Sequence, residues 1–235
     1  MAERQGQGQR RQQSAHIADK HSGPSVRIAR AIFEQLEITR SIETPAQTAG
    51  KKFETAIQQI LEERIRKLAP NRKWTTDRNR EITDLAQHEH LGRIKQVAKK
   101  NPTLNSSLGT DYIIKPDITI GIEADPHPHL HAAISCKWTI RSDRGQNIRH
   151  EGVVLTRHRR GRQPHFVAVT AEPHPLRLAA IASGTGELDC VYHIALQQLQ
   201  FACQNNRRAS DTLQELVKQR RLHPLTELPD VIAAY

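Results

Sequence analysis

Two short apolar runs in the middle of the chain have the pattern of a β-hairpin. Residues 118–122 and 132–140 alternate or are rich in β-branched side chains, and the segment between them is rich in proline, histidine and aspartate. Runs of this length on either side of a turn-forming segment are typical of two antiparallel strands. The elements predicted for the rest of the chain lie before and after this hairpin.

Apolar positions at helical spacing predict helices on both sides of the hairpin. The clearest stripe, in residues 53–68, would face a core. Its members are Phe53, Ile57, Ile60, Leu61, Ile65 and Leu68. Further helices are predicted over residues 24–39, 85–99, 146–155, 175–182, 195–203 and 210–220, and further strands over residues 165–170 and 190–194. Loops are predicted over residues 41–51, 72–80 and 101–110, and the segment from residue 223 onward is punctuated by prolines.

This order of elements predicts an α/β fold with a mixed central β-sheet flanked by helices. Residues 1–23 are rich in glutamine, arginine and glycine and nearly free of large apolar side chains, which predicts a disordered basic tail. The remaining residues, 24–235, are short enough for one domain. With 37% hydrophobic residues and only 4% aromatic ones, the core must rest on aliphatic side chains.

The net charge of the chain indicates the class of partner that it binds. The chain has 35 Lys and Arg against 25 Asp and Glu, a formal net charge of +10, which favours nucleic acid over a basic protein without such a partner. No apolar run approaches the roughly 18 residues that span a membrane, and the N-terminus lacks the apolar segment of a signal peptide. Three cysteines without metal-ligand spacing indicate free thiols, so the predicted location is the cytoplasm.

The candidate chemistry lies on the hairpin. Asp117 precedes the first strand directly after a proline, and Lys137 lies in the second strand among apolar residues, where an ammonium group needs a partner. A carboxylate and an ammonium held together in one cleft suit metal-assisted hydrolysis of a phosphodiester. More carboxylates must converge, and the candidates are Glu151 on the following helix and Glu54, beside Phe53 near the predicted start of its helix. For each of these two, a surface glutamate is at least as good an interpretation.

Two polar clusters flank these residues. Arg141, Asp143 and Arg144 follow the second strand; arginine pairs with guanine and aspartate accepts from the cytosine amino group, so the cluster could read two G·C pairs. A solvated charged turn is the competing interpretation. The histidines at positions 127, 129 and 131 could share a strand face and bind zinc or nickel, but the prolines at 126 and 128 place the first two in a turn.

Several segments together carry a family resemblance. They are KPD at 115–117, SCKWTIRSDRGQN at 135–147, the glutamate at 151, PHFVAVTAEP at 164–173 and SGTGELDCVYHIAL at 183–196. They resemble the NgoMIV-like type II restriction endonucleases, which form part of the CCGG-recognising branch of the PD-(D/E)XK nucleases. The resemblance therefore implies a restriction-endonuclease-like fold for residues 24–235, with catalysis and DNA binding in one domain.

The resemblance also implies a set of site residues. In this branch a serine, here Ser135, replaces the usual acid before the lysine, and the glutamate of the following helix, here Glu151, takes its place in space. The whole implied catalytic set is Asp117, Lys137, Glu151, Glu54 and Ser135. Two magnesium ions per active site are implied, with ligands from Asp117, Glu54 and the main-chain carbonyl of Cys136.

Target and assembly follow from the same resemblance. Arg141, Asp143 and Arg144 would read CCGG in double-stranded DNA, within GCCGGC, and cleavage would leave 5′ overhangs. The subunits would form a homodimer at least, and a homotetramer of two dimers. Two other classes stay open: a structure-selective or repair nuclease of the same fold, and a basic DNA-binding protein without catalysis. The arginine–aspartate cluster argues against the repair nuclease, because such an enzyme needs no base-edge readers.

Overall fold

A six-stranded mixed sheet forms the centre of the computed structural model, which describes residues 22–37, 46–109, 113–140, 142–184 and 186–234. The strands lie side by side in chain order. They are β1 (Trp74–Arg78), β2 (Ile118–Ile122), β3 (His129–Lys137), β4 (His165–Thr170), β5 (Cys190–His193) and β6 (Leu222–Pro224). The first three strands pair antiparallel and the last four pair parallel, so β3 is the strand where the pairing changes.

Helices cover both faces of the sheet. They are α1 (Gly23–Gln35), α2 (Ala46–Leu68), α3 (Glu89–Lys99), α4 (Pro102–Leu108), α5 (Ser142–Arg157), α6 (Pro175–Ala182), α7 (Leu196–Cys203), α8 (Arg207–Lys218) and α9 (Leu228–Ala234). One core contains residues of α2 and α9. The other contains residues of α1, α3, α5, α6, α7 and α8.

Successive side chains of the central strands belong alternately to the two cores. In β3, Ala133 belongs to the core under α5, whereas Ile134 belongs to the core under α2. The neighbouring strand β4 repeats this with Ala168 and Val169. Because successive side chains of a strand point to opposite faces, each central strand is buried on both sides. The predicted mixed central sheet flanked by helices is therefore confirmed.

Side-chain caps start four of the described helices, and His174 provides the one before α6. Ser22 accepts a hydrogen bond from the Ser25 amide before α1, and Asn101 accepts one from the Leu104 amide before α4. Asn206 accepts one from Ala209 N at the start of α8. Such caps satisfy amides that have no partner within the helix.

The structure confirms the hairpin and the bounds of β4 and α6. The three predicted loops were wrong in part, since each contains a helix or strand, and residues 46–51 of the first belong to α2. Residues 72–80 contain β1, residues 101–110 contain α4, and the segment from residue 223 contributes the end of β6 and α9. Strand β1 has one buried apolar residue, Trp74, so it lacks the alternation that identifies a strand. Helix α2 begins at Ala46 instead of residue 53, which places Glu54 in its third turn instead of near its start.

Most of the predicted basic tail lies outside the described residues. Of residues 1–23, only Ser22 and Gly23 are described, and they form the cap and first residue of α1. Among the described helices, none is both long and apolar enough to cross a membrane.

Candidate active site

The two hairpin residues that the sequence singled out lie side by side. Lys137 Nζ donates to Asp117 Oδ2 at 2.6 Å, and the amide of Cys136 donates to the same oxygen at 2.7 Å. Each of the two side chains is 17% exposed, so the pair is mostly buried, and the space around it is called the cleft below. One carboxylate oxygen of Asp117 thus accepts from both a side chain and the backbone of β3.

Strand register explains this contact. Ile118 of β2 is paired with Ile134 of β3, so Asp117 lies across from the last residues of β3. Burial works against the charge of Lys137, but Asp117 and the nearby Glu151 outweigh it and raise its pKa. The Lys137 side chain is therefore an ammonium ion at neutral pH.

Glu151 of α5 completes the acidic side of this cleft. Burial raises the pKa of Glu151 to about 7; Lys137 counteracts this, whereas Asp117 adds to it. Oε2 of Glu151 and Oγ of Ser135 are both buried without a hydrogen-bond partner, although the proximity of the Ser135 hydroxyl helps to lower the pKa of Glu151. A buried polar atom without a partner is costly and often marks a functional site.

Glu54 reaches the cleft from the other helical layer. Its Oε2 accepts from Arg78 Nη2 at 2.8 Å, and Nη1 of the same arginine donates to Thr55 Oγ1 at 2.6 Å. The ring of Phe53 packs edge-to-face on Trp138 with centroids 5.0 Å apart. This contact fixes α2 against the residue that follows Lys137.

The buried thiol of Cys136 shows that the two groups of charges share one environment. Burial raises its pKa, Asp117 and Glu54 raise it further, and Lys137 and Arg78 lower it. All four side chains therefore lie within electrostatic reach of the end of β3. Arg78 is the site residue that sequence reasoning missed, because it lies in the segment predicted to be a loop.

The oxygen donors at this site are of the kind that bind a hard divalent cation, although the number of carboxylates among them is small. Carboxylates of Asp117 and Glu54 and a main-chain carbonyl are ligands of the kind that magnesium prefers. Within the described part of the chain, no three His, Cys, Asp or Glu side chains are grouped closely enough to hold a metal ion. Magnesium commonly takes only one or two protein carboxylates and completes its shell with water and phosphate, so this donor set is sufficient for magnesium.

The competing histidine site is not formed by the described residues. His131 is buried in β3, and its Nε2 shares a 2.8 Å hydrogen bond with the carbonyl of Ile232. Its pKa is lowered by burial. His131 is therefore a core residue that joins β3 to α9.

The predicted base readers follow the end of β3 directly. Arg141 lies outside the described residues, and the backbone of residues 142–144 begins α5 while their side chains lie outside the description. The contacts of Arg141, Asp143 and Arg144 therefore stay a prediction. In the sequence, the three residues lie between Lys137 and Glu151.

A family model and a relative of high identity both indicate one family. The family model of the NgoMIV restriction enzyme matches residues 5–126 and 123–234. The chain is 40% identical over 249 residues to the type II restriction enzyme NgoMIV of Neisseria gonorrhoeae, covering 90% of this chain and 87% of that protein.

Among solved structures, the restriction endonuclease PspGI–substrate DNA complex is similar at TM-score 0.41 and 12% identity, covering 87% of this chain and 64% of that chain. The type IIF restriction endonuclease Bse634I with cognate DNA is similar at TM-score 0.41 and 12% identity, covering 88% of each chain. The family match spans nearly the whole chain and includes every residue of the cleft, and the chain belongs to the NgoMIV restriction enzyme family.

Proposed function

We propose that this protein is a type II restriction endonuclease that hydrolyses phosphodiester bonds of double-stranded DNA with magnesium. Its target is a palindrome that contains CCGG, namely GCCGGC, and cleavage leaves 5′ overhangs. The observation that carries the proposal is the Asp117–Lys137 contact of 2.6 Å, near Glu151 with its buried Oε2, in a chain of the NgoMIV restriction enzyme family.

The residues of the cleft divide the chemistry between them. Lys137 has a raised pKa, so it acts as a fixed ammonium that stabilises negative charge on the phosphate. Glu151, with a pKa of about 7, is suited to accept a proton near neutral pH. The Ser135 hydroxyl beside it is buried without a partner and is available to orient the Glu151 carboxyl group.

Magnesium would be held by Asp117, Glu54 and the main-chain carbonyl of Cys136, two ions per site. When bound, it would supply Lewis-acid stabilisation of the scissile phosphate. Arg78 forms a salt bridge with Glu54, and Lys137 forms one with Asp117. These two basic side chains reduce the repulsion between Asp117 and Glu54 before magnesium and DNA bind.

Sequence recognition is assigned to the residues that join β3 to α5 and to the first residues of α5. Arg141 and Arg144 would contact guanines and Asp143 a cytosine amino group in the major groove. A palindromic target matches two subunits related by a twofold axis, each of which reads one half-site. We propose a homodimer as the reading unit and a tetramer of two dimers as the full assembly, with residues 24–235 as one catalytic and DNA-binding domain.

Cleavage of a plasmid of known sequence tests this function. The protein is incubated with magnesium or with EDTA, and the ends are mapped. Cuts at GCCGGC only with magnesium are expected. The variant Lys137→Ala should not cut, whereas Lys218→Ala, which removes an exposed lysine on α8, should cut normally.

Other outcomes separate the alternatives. Cuts at a wider set of CCGG-containing sites would support the proposed chemistry but would require a revised outer base pair of the target. Cleavage of branched DNA without regard to sequence identifies a structure-selective nuclease. Tight DNA binding without cuts in either buffer identifies a DNA-binding protein without catalysis.

A further inference from the structure

A buried carboxylate outside the predicted catalytic set lies beside the cleft. Glu172, in the turn between β4 and α6, is 0% exposed. Its Oε2 accepts from the amide of Ile140 at 2.7 Å, and its Oε1 accepts from the amide of His174 at 3.0 Å. Arg177 Nη1 lies 3.9 Å from Oε2. A buried carboxyl group is costly unless it is hydrogen-bonded, and here both oxygens accept from backbone amides, which an apolar residue could not do.

The backbone of Glu172 is fixed from two further directions. Its amide donates to Thr170 Oγ1 at 3.0 Å. The amide of Ala195 donates to Nδ1 of His193 at 3.1 Å, so this ring carries its proton on Nε2 and donates it to the carbonyl of Glu172 at 3.2 Å. Burial lowers the pKa of His193 to about 4, which keeps that tautomer at neutral pH. The backbone of Glu172 is thus held in place by Thr170 and His193, while its side chain contacts the amide of Ile140.

The contact with Ile140 extends the sheet beyond its last strand pair. The parallel pairing of β3 with β4 ends at Lys137 and Thr170. Glu172 lies two residues past Thr170 and Ile140 three residues past Lys137, so their 2.7 Å hydrogen bond joins the two chain segments after the ladder has ended. Ile140 is also the last residue before the segment that begins at Arg141.

The same carboxylate also orders the helix that packs on the start of α5. Its bond to the His174 amide holds the residue that caps α6. Helix α6 in turn contacts α5, where Arg149 donates to the carbonyl of Ala180 at 2.5 Å. Glu172 therefore contacts the chain before the reader segment and the helix beside it.

We propose that Glu172 is a positioning residue for sequence discrimination. It holds Ile140, the residue directly before the predicted reader segment, so that correct contact with the bases aligns the cleft with the phosphate. This inference rests on the proposed restriction activity and on the predicted readers. It assigns to Glu172 no contact with DNA and no part in the chemical step.

The test compares Glu172→Gln with a matched variant, Asp189→Asn. Asp189 is also a carboxylate that holds a strand backbone, since it accepts from the amide of Phe166 at 3.1 Å, but it does so at the opposite end of β4. For each protein, kcat and KM are measured on a GCCGGC duplex and on a duplex with one base pair of CCGG changed. Folding of each variant is checked by its thermal unfolding transition.

Glu172→Gln should lower the ratio of kcat/KM between the two duplexes by about 10- to 100-fold, because displacements near 1 Å can cost on the order of 100-fold in rate. Asp189→Asn should keep the wild-type ratio. A wild-type ratio in Glu172→Gln, even with a lower melting temperature, overturns the inference and leaves a structural role. If the wild-type protein itself cuts without preference, the proposed function fails first, before any variant is compared.

Hydrogen exchange covers the case in which Glu172→Gln does not fold. In the wild-type protein without DNA, the amide of Ile140 should exchange far more slowly than an unprotected amide. Exchange at the unprotected rate would show that Glu172 does not hold this segment and would overturn the inference.

Discussion

Replacing the buried glutamate of α5 should stabilise the protein while it removes activity. In Glu151→Gln the side chain keeps its shape but cannot ionise. Glu151 has a pKa of about 7 in the folded protein against a model value of 4.5. Since its folded pKa is raised, the group favours the folded state at low pH, and this contribution is lost as the pH rises from 4.5 through about 7.

The size of the effect follows from these two values. The difference between them corresponds to about 3 kcal/mol at most, since each pKa unit is worth about 1.4 kcal/mol. The free energy of unfolding of Glu151→Gln, minus that of the wild type, should therefore be larger at pH 8 than at pH 5 by about 1–3 kcal/mol. This gain arises because the wild-type protein must bury a charge whose Oε2 has no hydrogen-bond partner.

Urea unfolding in EDTA at both pH values measures the difference without bound metal. Glu215→Gln is the control, because that glutamate is exposed on α8 and its replacement should have the same small effect at both pH values. An equal stability change for Glu151→Gln at pH 5 and pH 8 would refute the reasoning. The same variant should fail to cleave a GCCGGC plasmid at pH 8, where the wild type is active.

Four other predictions concern the site and the core. Asp117→Asn should abolish cleavage and retain specific binding in a gel-shift assay, and cleavage near the wild-type rate would remove Asp117 from the site. Arg144→Ala should lose about 1–3 kcal/mol of discrimination at a guanine, measured by competition binding; an unchanged preference would contradict the reader assignment. His88 and His193 are buried with pKa values of about 4, so stability should be full above pH 6.5 and fall toward pH 4; His193→Asn should flatten that loss in urea unfolding, and an unchanged slope would be contrary evidence. DNA affinity should fall steeply with salt because of phosphate contacts, so a flat response would count against the binding cleft.

Sequence reasoning located the hairpin with Asp117 and Lys137 because strand alternation and strand-end chemistry are local patterns. It could not place Arg78, because β1 is a polar edge strand whose existence depends on pairing with β2. It also assigned no role to Glu172, although that acid follows an apolar strand directly. Its burial depends on the chain returning through α6 and β5, and no local pattern shows this.

Motif resemblance and geometry contributed differently to the site. The resemblance singled out Glu54, and the structure places it in the third turn of α2, held by Arg78. Spacing alone could not have found it, since α2 lies on the opposite face of the sheet from α5. Contacts between such distant segments are set by the whole fold and not by neighbouring residues.

The packing of α9 against α2 has a consequence for the timing of synthesis. Ile57 and Leu61 of α2 share a core with Leu228 and Ile232 of α9, whereas the Asp117–Lys137 hairpin lies far earlier in the chain than α9. A protein shortened after residue 227, which keeps β6 and removes α9, tests the dependence: we expect it to lose cleavage, and full activity would contradict it. During synthesis, the hairpin would thus be complete well before α9 is available to pack against α2, the helix that bears Glu54. Nuclease activity in the cell would then be delayed until α9 has been made.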